Sequence, residues 1–497
     1  MREREAKLVV PDGFTLPALG GPADGFIAEP QPTRRYTTTY WDTPDLRLAR
    51  WGASLRHRGD EGWTVKLPPE AAPDDGVLER EELTFEGTPR KVPPEAAALL
   101  RAFVRGGSLE PVARLRAVRQ PVELRNAAGG RLAEVVDDDV QVLDGRRVVG
   151  RFRELEVELG EAAQPDTMDR VVARLREAGA SEAAGRPGKY RQALGDRELE
   201  PAELQVPALD RDASVEQLLR HDLTASALRL FRNEAGVRLG EDPEAVHQAR
   251  VGIRRVRSTL RTFRPLLDQA WSASLRDELK WLAGLLGDVR DADVLHDRLA
   301  RRVASLDEAD AAAARQLLED LLAQRGAART RLLEAMGQER HTALLDRLVT
   351  AAQAPAVLPE AAAQPATTTR SLVRKAWKKL RKAVRRAGDA PTDAELHRIR
   401  IQAKRARYAA EAVEPVVGKP ARRFATAAAD LQDVLGEQHD AVVAEAWLRD
   451  HARTLRAARA LAAGQLIAAE RAAARAARDR WRRVWRTLAR GKRTSWL

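Results

Sequence analysis

Charged and apolar residues alternate along the first 160 positions of the chain. Glu3, Glu5 and Lys7 occupy every second position and lead into Leu8-Val9-Val10; in an extended strand such positions share one face. The alternation returns at Arg56 and Arg58 around His57, at Arg80 and Glu82 in 79–85, and at Arg114 and Arg116 in 113–118. It returns again at Glu134 and Asp138 in 133–140, and at Glu154, Glu156 and Glu158 against Leu155, Val157 and Leu159. In each stretch the opposite face is at least partly apolar, which predicts strands packed on one side. A closed sheet with a charged inside and a covered outside accounts for all of them, because small barrels turn alternate residues inward to line a cavity. Residues 126–130 and Asp144-Gly145 read as hairpin turns, while 94–104 and 168–178 carry helical spacing.

The chain changes character beyond residue 212. Residues 196–212, with Pro201 and Pro207 among polar neighbours, read as a linker, and the chain from 213 onward is helical almost throughout. The helical part repeats itself. Ala245-Val246-His247-Gln248-Ala249-Arg250-Val251 aligns with Glu395-Leu396-His397-Arg398-Ile399-Arg400-Ile401, and 285–292 aligns with 434–441. Pro355, Pro359 and Pro365 mark the connector between the copies. The predicted organisation is therefore an α+β, multidomain chain. Its parts are an N-terminal antiparallel β-barrel with flanking helices at 1–195, a linker at 196–212, and an all-α domain at 213–490. The α domain is expected to be two duplicated helical bundles (213–350 and 368–490) related by a pseudo-twofold axis.

Charge separates the halves further. Residues 1–200 hold 31 Lys and Arg against 35 Asp and Glu, a net of −4, and the remainder holds 54 against 38, a net of +16. There is no cysteine, which excludes disulfides and thiolate metal sites. The N-terminus opens on charged residues and no 18-residue apolar run occurs, so neither a signal peptide nor a membrane span is expected and a cytoplasmic protein is the default.

The barrel face calls for compensation. Two carboxylates and an ammonium on one strand face are unfavourable unless something binds them. A divalent cation bridging to a phosphate would use both signs, with carboxylate oxygens holding the metal and the lysine offsetting the anion. A charged edge strand is the alternative for that triplet taken alone. His57, between two inward arginines, is expected to face outward. Strand parity with Arg80 favours Glu82 over Glu81 as the inward residue, and Asp137 and Asp139 offer registers that compete with Asp138.

Glu3-Arg4-Glu5-Ala6-Lys7, Tyr40-Trp41-Asp42-Thr43-Pro44, Leu55-Arg56-His57-Arg58, Trp63-Thr64-Val65-Lys66 and Gly188-Lys189-Tyr190 succeed one another in an order that resembles the CYTH, or triphosphate tunnel metalloenzyme, domain. The resemblance implies an eight-stranded tunnel acting on a triphosphate with magnesium or manganese. By the same resemblance Glu3, Glu5, Glu156 and Glu158, with Glu134 and Asp138, would ligate metal. Lys7, Arg56, Arg58, Lys66, Arg80, Arg114, Arg116 and Lys189 would hold phosphate oxygens, and Glu5 and Lys7 would stand closest to catalysis. No Ser-His-Asp or Cys-His constellation and no Gly-x-x-x-x-Gly-Lys loop is evident. An arginine-lined tunnel with few aromatic candidates favours inorganic triphosphate. Thiamine triphosphate, a nucleotide or adenylate cyclisation stay open, as does a non-catalytic scaffold.

On the helical side His247, Arg250, Arg254 and Arg257 are spaced to fall on one helix stripe, and His397, Arg400, Lys404 and Arg407 repeat it. Solvated faces are the alternative; the repetition favours an anion-binding role. His247, His397 and the basic residues following each, Arg255 and Arg405 included, resemble the CHAD domain, which implies binding of long-chain inorganic polyphosphate and a place at polyphosphate granules; Lys378 and Lys379, on another basic helix, are expected to extend that surface. Nucleic acid is the competing polyanion, but aromatics are 4% of the chain and no base-reading motif is evident, so specific nucleic-acid binding is not expected. Oligomeric state is not legible.

Overall fold

The computed structural model describes residues 2–11, 13–20, 26–68, 77–182, 188–195, 197, 199–210, 212–452 and 457–497; at 2–4, 77–81 and 182 the backbone alone is described. The chain divides into two compact units, Met1–Ala202 and Glu203–Leu497.

Among the described residues the first unit carries ten strands: β1 (Arg2–Val9), β2 (Ile27–Pro30), β3 (Arg34–Asp42), β4 (Ser54–Arg58), β5 (Gly62–Lys66), β6 (Val77–Phe85), β7 (Glu110–Arg125), β8 (Arg131–Asp144), β9 (Arg147–Leu159) and β10 (Ser181–Glu182). Five short helices lie among them: α1 (Arg47–Trp51), α2 (Pro94–Leu99), α3 (Arg101–Val104), α4 (Thr167–Glu177) and α5 (Lys189–Ala193). Eight strands pair in the order β1-β6-β5-β4-β3-β7-β8-β9, all antiparallel, and β9 pairs back onto β1, so the ring of pairings closes. β2 lies beside β7 and β10 beside β1.

Parity decides what lies inside. Glu5 stands opposite Glu158 and Lys7 opposite Glu156 across β1 and β9, while Asp138 stands opposite Glu154 across β8 and β9. The outer face of the same strands is apolar. Ala6, Leu8, Leu124, Ala133, Val135, Leu155 and Val157 are buried under Met168, Val171, Val172 and Leu175 of α4. Asp137 falls on this outer parity and pairs with Arg153 at 2.6 Å, which settles the register in favour of Asp138 as the inward residue. Inside, the barrel is charged only along part of its length. Tyr40, Leu115, Ala117 and Val140 pack there with Tyr190, Ala193 and Leu194 from α5 and the residue after it.

The second unit is helical. It comprises α6 (Val215–Leu239), α7 (Pro243–Thr262), α8 (Gln269–Val303), α9 (Glu308–Gly337), α10 (Glu339–Gln353), α11 (Pro359–Ala362), α12 (Arg370–Arg386), α13 (Asp393–Val417), α14 (Lys419–Ala452), α15 (Ala457–Leu488) and α16 (Gly491–Thr494). Start signals sit where chemistry needs them: Asp242 caps α7 through the Glu244 N–H at 2.8 Å, and Thr392 with Glu395 forms a capping box on α13. At Gly252 a side chain would meet the Ser226 carbonyl at 2.7 Å, so glycine lets α6 and α7 approach closely. The two copies of the repeat, α7 and α13, pack on one another. Leu295, Leu299, Leu317, Leu321, Ala444, Leu448 and Leu466 form a core shared by α8, α9, α14 and α15. Among the described residues no helix is long and apolar enough to cross a membrane.

Candidate functional site

The inward charges of the barrel line a cavity of about 700 Å³ whose walls include Glu5, Lys7, Arg34, Arg56, Arg58, Lys66, Glu82, Arg119, Glu134, Glu156, Glu158 and Lys189. Carboxylate oxygens of Glu5, Glu156 and Glu158 converge within 4.8 Å of one another, the one such group of three among the described residues. Strand pairing brings them together, because Glu5 and Glu158 are register partners and Glu156 is the next inward residue of β9. Hard carboxylate oxygens at this spacing fit magnesium or manganese.

Cations interleave with these acids. Lys7 Nζ lies 2.6 Å from Glu156 and 3.6 Å from Glu5. Lys189 Nζ donates to Asp138 at 2.6 Å and to Glu156 at 2.8 Å, and lies 3.1 Å from Glu154. Arg119 meets Asp138 through both Nε (3.0 Å) and Nη2 (2.8 Å), and reaches Glu156 at 3.3 Å. On the opposite wall Arg56 donates to Glu82 at 2.9 Å, Lys66 pairs with the same carboxylate, and Arg58 pairs with Glu61. Arg58 also lies over the Tyr36 ring at 4.2 Å.

These pairings govern protonation. Burial opposes the charge of Lys7, yet Glu156, Glu5 and Glu154 outweigh it and hold the ammonium above its usual range. Burial likewise opposes Lys189, and Glu156, Glu154 and Asp138 overcome it. Glu156 is itself buried, but Lys189, Lys7 and Arg119 keep it ionised well below the usual carboxylate range. Burial raises Glu154, with Lys189 opposing and Glu156 adding to the rise. Around Glu156 the tunnel is thus a salt lattice that keeps Lys7, Lys189 and Glu156 itself charged.

The short helix α5 positions Lys189. Its next residue, Tyr190, stacks on Tyr40 (ring centroids 4.7 Å apart) and donates its hydroxyl to Asp42 at 2.6 Å. Asp42 is fully buried and also accepts from the backbone N–H groups of Thr43, Leu48 and Ala49.

The structure places most of the sequence-selected residues in this cavity, with three differences. Arg114 and Arg116 are exposed on the outer parity of β7, opposite Thr39 and Thr37, whereas Arg119 faces inward beside Asp138. The apolar residues between them, Leu115 and Ala117, fill the inner end of the barrel, so the charged face of 113–118 is the outer one. Asp138 is inward but stands with Arg119 and Lys189 rather than in the converging carboxylate group. Glu134 lines the cavity across from Glu158, with Arg131 at 3.4 Å. The side chains of Glu3 and Arg80 lie outside the described residues. His57 packs edge-on against Trp63 on the outer side of β4.

In the helical unit the two stripes meet between α7 and α13. Arg250 donates to Asp291 at 2.8 Å, and its counterpart Arg400 lies 3.8 Å from Asp440. Arg255 of α7 reaches Glu411 of α13 at 3.0 Å, and Arg407 pairs with the same carboxylate at 2.6 Å. Arg254 lies over the Tyr408 ring at 5.4 Å. The Nε atoms of Arg254, Arg255, Arg257, Arg400 and Arg405 are buried without a hydrogen-bond acceptor. Burial, with Arg400, Arg254 and Arg250 nearby, pushes the Lys404 ammonium down to about 8. His397 and His439 face each other with Nδ1 atoms 3.2 Å apart, and burial, Arg400, His397 and Lys404 push His439 down to about 4. Lys378 and Lys379 lie exposed on α12, which carries no acidic residue.

Comparison with known proteins fits these two units. The CYTH domain family matches residues 1–186 and the CHAD domain family residues 221–449. An uncharacterised protein of Mycobacterium tuberculosis, found in two strains, is 35% identical over 477 residues, covering 90% of this chain and 88% of the relative. The chain belongs to the CYTH–CHAD family. Among solved structures, PptA from Streptomyces chartreusis is 29% identical with a TM-score of 0.47, over 55% of this chain and 100% of its own. The CHAD domain from the plant Ricinus communis is 30% identical with a TM-score of 0.44, over 55% and 94%.

Sequence reading of the CYTH unit missed Arg34, Arg119 and Tyr190. Arg119 shares parity with Leu115 and Ala117, and that shared parity was the available signal. In the CHAD unit it missed His439, which aligns with Arg290 in the first repeat and so breaks the pattern of recurring histidines.

Proposed function

We propose that the CYTH tunnel hydrolyses inorganic triphosphate and that the CHAD surface between α7 and α13 holds inorganic polyphosphate. The observation that carries the first part is the convergence of Glu5, Glu156 and Glu158 within 4.8 Å in a cavity whose walls also present Lys7, Arg34, Arg56, Arg58, Lys66, Arg119 and Lys189. Those three carboxylates would hold magnesium or manganese, with Glu134 beside them. When bound, the metal withdraws charge from a phosphoryl oxygen and acidifies coordinated water.

The chain's own groups do the rest. A triphosphate is densely anionic, so attack on its terminal phosphorus is repelled until cations offset that charge. Lys7, Lys189 and Arg119 on one wall, and Arg56, Arg58 and Lys66 on the other, bind its oxygens and fix its length along the tunnel. Glu5 orients a water for in-line attack and accepts its proton. The new bond joins water oxygen to the terminal phosphorus, the anhydride P–O bond breaks, and pyrophosphate leaves with its charge offset by the same cations. In the CHAD unit, buried guanidinium Nε atoms without acceptors and an ammonium held near pH 8 support an anion seat: a phosphate oxygen supplies the missing acceptor and restores the charge.

The test is phosphate release by the full chain with magnesium or manganese, comparing inorganic triphosphate, ATP, thiamine triphosphate and long-chain polyphosphate. Preference for inorganic triphosphate, abolished by chelator, is the expected result. Tight polyphosphate binding without turnover of any substrate overturns the hydrolase reading and leaves a binding protein; preference for an organic triphosphate reassigns the substrate.

A further inference from the structure

The carboxylates that converge for a metal are the ones that already neutralise the tunnel's cations. Glu156 receives Lys7 at 2.6 Å on one oxygen, and Lys189 at 2.8 Å and Arg119 at 3.3 Å on the other. Glu5 has Lys7 at 3.6 Å. A divalent ion on these oxygens competes with the ammonium groups for the same carboxylate charge, and two positive centres about 3 Å apart in a buried site repel strongly. Arg56 and Lys66 differ: their carboxylate is Glu82, outside the converging group. The cations therefore fall into two sets, one paired to the metal carboxylates and one paired to Glu82, with Arg56 feeling the Glu156 charge without pairing to it.

We infer that Lys7 and Lys189 act as placeholders on Glu5 and Glu156, so that divalent metal and triphosphate load into the tunnel together, each raising the affinity for the other. A triphosphate offers both ammonium groups a denser anion than a carboxylate. As they turn to it, the oxygens of Glu5 and Glu156 are released to the metal. Linkage requires the reverse as well: a metal on those oxygens frees the lysines for phosphate. Loaded together, the metal offsets part of the triphosphate's charge, so neither partner has to leave its buried charge wholly unmatched. This inference rests on the triphosphate reading above.

The test is manganese binding by the full chain, monitored through the electron paramagnetic resonance signal of free Mn²⁺. Titrations are run with and without a non-hydrolysable imido analogue of triphosphate, and corrected for Mn²⁺ held by the analogue itself. For the unsubstituted protein the analogue should tighten Mn²⁺ binding by about tenfold or more, within the usual range of coupling between sites. Lys7→Met should bind Mn²⁺ about tenfold tighter without the analogue and gain little from adding it. Lys189→Met supplies the same comparison should Lys7→Met fail to fold. Without the analogue, Arg56→Met, which removes an equal charge from the set paired to Glu82, should gain clearly less Mn²⁺ affinity than Lys7→Met; because Arg56 also holds phosphate, it is compared in that condition alone. Equal Mn²⁺ affinity in Lys7→Met, Lys189→Met and the unsubstituted protein overturns the inference, and so does a gain in Arg56→Met as large as that in Lys7→Met. The hydrolase reading fails separately. A chain that turns over no triphosphate but shows the Lys7→Met gain keeps the coupling, and one that turns over triphosphate with indifferent Mn²⁺ affinity loses only the coupling.

Discussion

In the tunnel, Lys7, Lys66 and Lys189 each have a carboxylate partner, and Lys7 and Lys189 are held charged far above neutrality. On the helical surface Lys404 is also largely buried, yet no ion pair is formed by it among the described residues, and it is pushed down to about 8. Both places gather cations from separated stretches of sequence; they differ in how completely the protein supplies the counter-charge. In the tunnel an incoming phosphate must compete with carboxylates, and on the proposed reading a metal takes over the acids it displaces. On the helical surface Arg250, Arg255, Arg400 and Arg407 have acidic partners, but Arg254 and Lys404 form no ion pair among the described residues, which leaves part of the field uncompensated for a linear polyanion to relieve. One arrangement suits chemistry on a short substrate and the other suits retention of a long one.

The largest expected effect breaks the first arrangement. Glu156→Gln removes the carboxylate on which Lys7, Lys189 and Arg119 meet, together with one of the three converging oxygen donors. Triphosphate turnover should fall by about a thousandfold, the scale expected when a preorganised electrostatic group is lost. Binding of triphosphate should be retained, because three cations are released from their internal partner. Turnover within a few-fold of the unsubstituted protein would remove the acids from the reaction.

Next comes the uncompensated field. Arg254→Ala combined with Lys404→Ala should weaken polyphosphate binding by about a hundredfold at 0.15 M salt and flatten its salt dependence, since fewer phosphates are neutralised. Triphosphate turnover at saturating substrate should not change. Unchanged polyphosphate affinity would make the stripes ordinary helix surface.

A smaller effect separates the regions by pH. Burial and neighbouring cations lower Lys404 to about 8 in the free protein, and a bound polyanion favours its charged form. Binding therefore takes up a proton once pH exceeds about 8, and affinity should fall as pH rises from 7 to 9, by at most about tenfold per unit for one proton. Lys404→Arg should flatten that decline, because guanidinium stays charged throughout. The tunnel lysines lie above this window in the ligand-free protein and should contribute no comparable slope. A decline that persists in Lys404→Arg would place the titrating group elsewhere.

The same contrast explains what the sequence could and could not convey. Alternation located the strands of the tunnel, and Glu5, Lys7, Glu156 and Glu158 fall inward because their outer neighbours Ala6, Leu8, Leu155 and Val157 belong to a core under α4. The rule that charged residues lie inside failed at 113–118. There the barrel interior is itself apolar, plugged by Tyr190, Ala193 and Leu194 from a segment some seventy residues away in sequence, so Leu115 and Ala117 turn inward and Arg114 and Arg116 outward. Local pattern carries no information about such a plug. The helical repeat was legible because duplication prints one motif twice, and both copies return in the Arg250–Asp291 and Arg400–Asp440 pairs. The contact between the stripes through Arg255 and Glu411 was not legible, since Glu411 has no acidic counterpart in the first copy: Arg261 occupies that position.

The smallest effect concerns the plug. Tyr190→Phe keeps the stack on Tyr40 but removes the hydroxyl that donates to Asp42. Burial already raises Asp42, while Tyr190 and the backbone donors of Leu48, Ala49 and Thr43 hold it down, and those backbone donors survive the change. The loss should be about 1.5–3 kcal/mol, the net worth of one hydrogen bond to a charged group, seen as a drop of several degrees in the melting temperature of the tunnel unit. Lys189 stays on its carboxylates, so turnover should change by less than about threefold, roughly half a kcal/mol in the barrier. A fall in turnover approaching that of Glu156→Gln, at unchanged melting temperature, would instead place the Tyr190 hydroxyl among the reacting groups. The plug would then be part of the chemistry rather than the wall that aims Lys189 into it.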